Sequence, residues 1–117
     1  MFKRLESVIH FVPDIDAAAH WYAELLGAEV EHENPHFAFV RGPGVLIGFH
    51  PADAKSPGGV AGTTAYWDVD DLDVALAALL ARGARLHRGP GVTDFGARVA
   101  MLIDPFGCTL GLNQPAA

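Results

Sequence analysis

The chain has 117 residues, half of them hydrophobic, and a net charge of −6. That length suits one domain with a sizeable core needing no staples, and the acidity disfavours nucleic acid and anionic membranes as partners. No apolar run approaches the ~18 residues of a membrane span, and a lone Cys108 excludes a disulfide framework or a thiolate metal cluster. The N-terminus leads into a strand rather than an apolar signal segment, so a cytoplasmic protein is expected.

In chain order, about Glu6 to Val12 reads as a strand, β-branched and aromatic, bounded by Pro13. Asp14 is placed to cap a helix over Ile15–Leu26, whose apolar face is Ile15, Ala18, Ala19, Tyr22, Leu25 and Leu26. Gly27 suits the left-handed residue that ends it. Strands follow over 28–33, 37–41 and 45–50, the last two joined at Gly42-Pro43-Gly44. From Pro51 to Gly62 the composition shifts to Pro, Gly, Ala, Ser and Asp, a linker. The order then repeats: a strand over 63–69, a helix over Leu72–Arg82 capped by Asp71 and stopped by Gly83, and a short strand over 84–88. Strands over 97–103 and 108–113 form a hairpin across Asp104-Pro105-Phe106-Gly107.

Val12-Pro13-Asp14-Ile15-Asp16-Ala17-Ala18 returns as Val69-Asp70-Asp71-Leu72-Asp73-Val74-Ala75, each copy preceded by a strand and followed by a helix. The reading is a single α+β domain of two βαβββ modules, about 5–50 and 63–114, whose mixed sheets curl around a cleft with helices outside. Arg41-Gly42-Pro43-Gly44-Val45 and Arg88-Gly89-Pro90-Gly91-Val92 are identical but fall out of step with the repeat, and read as coincident turn chemistry.

Two such modules resemble the vicinal oxygen chelate superfamily, the glyoxalase, bleomycin-resistance protein and extradiol dioxygenase group. The resemblance rests on Val12-Pro13-Asp14-Ile15, on Trp21-Tyr22 followed by Leu26-Gly27, on Val69-Asp70-Asp71-Leu72 and on Asp104-Pro105-Phe106-Gly107. It implies a cleft usually completed in a dimer. It also implies a divalent metal held by His and Glu from the first and last strands of each half. At those positions this chain has Ser7, Thr64, Gly48 and Gly111, which cannot supply imidazole and carboxylate. The neighbouring Glu6 would face the wrong side of its strand. No metal and no cofactor are therefore expected.

The six histidines are spaced irregularly. His20, His32, His36 and His87 read as surface, His10 as facing the helices, and His50 as facing the cleft. Cys108, Ser7 and Ser56 lie in no nucleophile context. Strand parity places Ser7, Ile9, Phe11, Phe37, Phe39, Gly48 and His50 inward in the first half. In the second half it places Thr64, Tyr66, Asp68 and Gly111 inward. An even-length turn at Asp104-Pro105-Phe106-Gly107 adds Arg98, Ala100, Leu102, Thr109 and Asn113 to that face. The rings suit a flat organic ligand, with Asp68, Arg98, His50 and Asn113 as polar handles. The alternative is that these rings are simply core.

The function expected is a metal-free binding protein like the bleomycin-resistance branch, sequestering or carrying a planar aromatic or cationic compound as a homodimer. No nucleic-acid or membrane partner is expected. The alternative is a glyoxalase-like lyase or isomerase, or a dioxygenase, with a non-standard or absent metal site. A third class is an interaction module whose cleft is a closed core.

Overall fold

The computed structural model describes Met1 and residues 3–117, which divide into two compact units, Met1–Gly58 and Gly59–Ala117. In the first, β1 (Ser7–Val12) leads to α1 (Ile15–Leu26), then β2 (Val30–Asn34), β3 (Phe37–Gly42) and β4 (Val45–Pro51). In the second, β5 (Tyr66–Asp68) leads to α2 (Leu72–Ala81), then β6 (Arg85–Val92), β7 (Arg98–Ile103) and β8 (Thr109–Gln114). The sheets have the same order, β1-β4-β3-β2 and β5-β8-β7-β6, each with one parallel pair and two antiparallel ones. The repeat in the sequence is thus a repeat in topology, and the fold is α+β. Among the described residues no helix is long and apolar enough to cross a membrane.

Local chemistry fixes both strand-to-helix junctions. Asp14 and Asp71 have extended backbones, and their carboxylates accept from the N–H of Ala17 (3.0 Å) and Val74 (3.2 Å), each satisfying a donor the helix leaves orphaned. Gly27 closes α1 in the left-handed region at φ 61°.

α1 buries Ile15, Ala18, Ala19, Tyr22 and Ala23 within the first unit. The helix-side residues of its sheet include Val12, Ala38, Val40, Ile47 and Phe49, all buried. His10 is on this side, its ring 5.1 Å from that of Tyr22 and 5.5 Å from that of Phe49, as parity predicts. Leu25, expected on the apolar face of α1, is exposed instead, and the smaller Ala23 takes the buried place. In the second unit Leu72 and Leu79 of α2 are buried, as are Ala100, Leu102, Leu110 and Leu112 of β7 and β8. The Leu72 N–H donates to Oε1 of Gln114 at 2.8 Å, tying the start of α2 to the end of β8.

The connection from β7 to β8 corrects one expectation. Ile103 pairs with Thr109, so the connection spans Asp104 to Cys108 and is odd in length. The Asp104 N–H donates to the Cys108 carbonyl at 2.7 Å, and the Asp104 carboxylate accepts from the N–H of Phe106 and of Cys108, both at 2.9 Å. That closes the loop one residue later than an even turn would and inverts the face of every β7 side chain. A second correction concerns Arg88-Gly89-Pro90-Gly91-Val92. It does not turn the chain but lies inside β6, where the pairing with β7 shifts register twice. Its copy, Arg41 to Val45, is a turn: Pro43 and Gly44 connect the paired Gly42 and Val45, with Gly44 at φ 76°.

Candidate functional site

Each unit has one sheet face packed by its helix and one opposite face, and the second carries most of the residues singled out by parity. In the first unit Ser7 pairs with Leu46, Ile9 with Gly48 and Phe11 with His50, while Phe39 pairs with Gly48 from the other side. Side chains of paired residues share a face. Ser7, Ile9, Phe11, Phe37, Phe39, Gly48 and His50 therefore stand together, as expected. The Phe11 ring meets the His50 ring edge-on at 5.4 Å, and His50 Nδ1 lies 2.8 Å from the Pro51 carbonyl.

Gly48 is the centre of this face. A Cβ built on it would lie 2.6 Å from Cζ of Phe37 and 2.6 Å from Cδ1 of Ile9, so only a residue without a side chain lets the Phe37 ring lie against the strand. The rings of Phe37 and Phe39 are 6.3 Å apart and inclined by 33°. They floor a cavity of about 360 Å³ lined by Glu6, Ser7, His32, Glu33, Phe37, Phe39, Leu46 and Gly48. Glu6, His32, Glu33 and Leu46 were missed by sequence reasoning. Leu46 has the parity of Gly48 and was legible. Glu6 precedes the first residue of β1, and His32 and Glu33 lie where the β2–β3 pairing shifts register, so simple alternation does not govern them. Glu6, which alternation places on the other side of its strand, is among the residues that line the cavity.

Two basic side chains near this cavity have acidic partners. Arg41 donates to Glu31 at 2.8 Å and holds its guanidinium 5.5 Å from the centre of the Phe39 ring. His32 Nε2 lies 2.6 Å from the Asp16 carboxylate.

In the second unit Tyr66 pairs with Gly111 and Asp68 with Asn113. A Cβ on Gly111 would lie 2.5 Å from Cγ and Cδ2 of Tyr66, so this glycine too is covered by a ring. The polar groups bond one another: the Thr64 hydroxyl lies 2.8 Å from that of Thr109, and the Asn113 amide donates to Asp68 at 2.9 Å. Arg98, Ala100 and Leu102 are on the helix-packed face, contrary to expectation, because of the odd β7–β8 connection. Arg98 makes two 3.0 Å bonds to Asp73 of α2. Those bonds, with the attraction between the charges, hold the Asp73 carboxyl below its usual range and raise the Arg98 guanidinium. Asp68 and Arg98 therefore do not pair with each other. Burial, then the Asp104 charge, pushes the Cys108 thiol up, which keeps it protonated and a poor nucleophile at neutral pH.

A family model described as the glyoxalase/bleomycin resistance protein/dioxygenase superfamily matches residues 4–112. The chain belongs to that superfamily. Its fold is similar to that of a glyoxalase/bleomycin resistance protein/dioxygenase family enzyme from Burkholderia phytofirmans PsJN, with TM-score 0.80, 22% identity, and 96% of this chain and 98% of that one covered. It is similar to a superfamily member from Sphaerobacter thermophilus DSM 20745, with TM-score 0.75, 24% identity, and 97% and 98% covered. It is also similar to TnmS3, an antibiotic binding protein from Streptomyces sp. CB03234, with TM-score 0.76, 26% identity, and 98% of each chain covered. No curated protein matches the chain at a significant level.

The metal that the superfamily implies does not fit the residues at its usual positions. Gly48 and Gly111 have no donor atom, and aromatic carbon occupies the space a carboxylate stem would need. Ser7 and Thr64 offer only hydroxyls, and that of Thr64 is engaged by Thr109. A site built of imidazole and carboxylate donors cannot be assembled from these four positions.

Proposed function

We propose that this member of the superfamily is a small-molecule-binding protein that sequesters or carries a planar aromatic or cationic compound. The observation that carries the reading is the Phe37 ring laid against Gly48, where a metal-ligating carboxylate would stand, flooring a cavity of about 360 Å³. That volume lies in the usual range of ligand pockets, roughly 300–1,000 Å³. Two rings at its base offer large contact area at low cost in side-chain freedom. The likeness to TnmS3, which binds an antibiotic, supports the same reading and makes a natural-product ligand the first class to screen. Ser7 and His50, on the same face of the first unit, supply further contacts in this proposal.

A homodimer belongs to the proposal. Ile9 and Tyr66 stand on the faces away from the helices and are 36% and 49% exposed, and a second copy would cover such apolar surface. Light scattering at micromolar concentration tests this; a monomer would count against it. The binding reading itself is tested with the purified protein in a screen of polycyclic aromatic compounds, with metal content measured in parallel. Binding that Phe37→Ala weakens, with no stoichiometric metal after chelation, is expected. A tightly held stoichiometric metal on side chains of these strands would overturn the reading and favour the lyase, isomerase or dioxygenase alternative.

A further inference from the structure

We infer that the cavity of the first unit selects its ligand by charge and takes a cation, specifically an aromatic ring system bearing a protonated or quaternary nitrogen. This deepens the ligand-binding reading and rests on it. The two carboxylates that line the cavity, Glu6 and Glu33, have no hydrogen-bond or ion-pair partner among the described residues. Two basic side chains beside the cavity already have acidic partners: Arg41 is paired with Glu31 and His32 with Asp16. The lining of the cavity thus includes two carboxylate residues without partners and two aromatic rings, whose faces carry negative quadrupoles. An anion is repelled by all four groups, whereas a flat cation gains from all four. The chain provides its own precedent in the Arg41 guanidinium over Phe39.

The test uses three bicyclic probes of nearly equal size: N-methylquinolinium, quinoline (neutral at pH 7.5) and 2-naphthoate, titrated calorimetrically into the full chain. The cation should bind most tightly, and 2-naphthoate several-fold more weakly than quinoline. Glu6→Gln and Glu33→Gln, both at exposed positions that the fold does not depend on, should each weaken N-methylquinolinium by roughly two- to five-fold, the range for exposed charge pairs. Quinoline should bind both variants as it binds the parent. Added salt should narrow the gap between cation and neutral probe. Should 2-naphthoate match or exceed the cation, or both glutamine variants hold the cation at parental strength, charge selection is wrong while ligand binding stands. Should none of the three bind, both the charge selection and the binding reading fall.

Discussion

The two units share a topology and differ in what they lay over the same glycine. In the first, Gly48 is covered from β3 by Phe37, a diagonal neighbour whose ring tip reaches across, and the space beyond the ring is a cavity edged by unpaired carboxylates. In the second, Gly111 is covered by its direct parallel partner Tyr66, and the polar side chains around it bond one another. A repeated fold thus carries one face with unsatisfied chemistry and one whose polar groups are largely spent. Function is expected where hydrogen-bonding capacity is left over, because satisfied groups gain little by meeting a ligand.

The largest way to probe this comparison is through the cores beneath the two faces. Phe49 and Leu112 each follow the covered glycine, point to the helix side and are buried. Phe49→Ala should cost ~3–5 kcal/mol and Leu112→Ala ~2–5 kcal/mol. Denaturant unfolding followed by fluorescence and by circular dichroism checks both, and loss under 1 kcal/mol for either would contradict the packing described.

Next come the glycines. Gly111→Ala meets the base of the Tyr66 ring, which can clear it only by changing χ1, and should cost ~1–3 kcal/mol. Gly48→Ala meets the far end of the Phe37 ring and the tip of Ile9, which yield more easily, so it should cost under ~1 kcal/mol. Its larger effect should be on ligand binding, since the cavity floor moves. Equal destabilisation by the two substitutions would remove the asymmetry between the units.

The β7–β8 loop gives a third contrast, because the β3–β4 turn has no counterpart to Asp104. Asp104 is 3% exposed and accepts two backbone N–H groups. Asp104→Ala should cost ~1–3 kcal/mol by leaving those donors unpaired, and hydrogen exchange should speed up at Phe106 and Cys108 while the Pro43-Gly44 turn is unaffected.

This loop is also where reading the sequence met its limit. Both helices, both aspartate caps and the parity of the first sheet were legible, because propensity and alternation act locally and Pro43-Gly44 makes a turn of known length. The second sheet was inverted on β7, since Asp-Pro-Phe-Gly signals a turn but not whether the loop runs on to Cys108. The cavity's carboxylates were missed because Glu6 lies outside its strand and Glu33 at a register shift. Arg88 to Val92 copied a turn sequence but paired with β7 instead. Tertiary pairing decided that case.

The smallest effect concerns Arg98 and Asp73, an exposed pair on the helix face of the second unit. The lowered Asp73 pKa means that its contribution is present above the unfolded carboxylate value and fades as pH falls through the still lower folded value, below about pH 4. Asp73→Asn should flatten the acid limb of the stability profile slightly and leave stability at pH 7 nearly unchanged. A large loss at neutral pH would show that the pair does more than close a surface contact.

The central claim, that the first unit's face holds the ligand, is tested most directly by amide chemical-shift mapping with N-methylquinolinium. Shifts concentrated at Ser7, Phe37, Phe39 and Gly48, abolished by Phe37→Ala and retained in Tyr66→Ala, are the predicted result. Shifts centred on Tyr66 and Gly111, and untouched by Phe37→Ala, would contradict it.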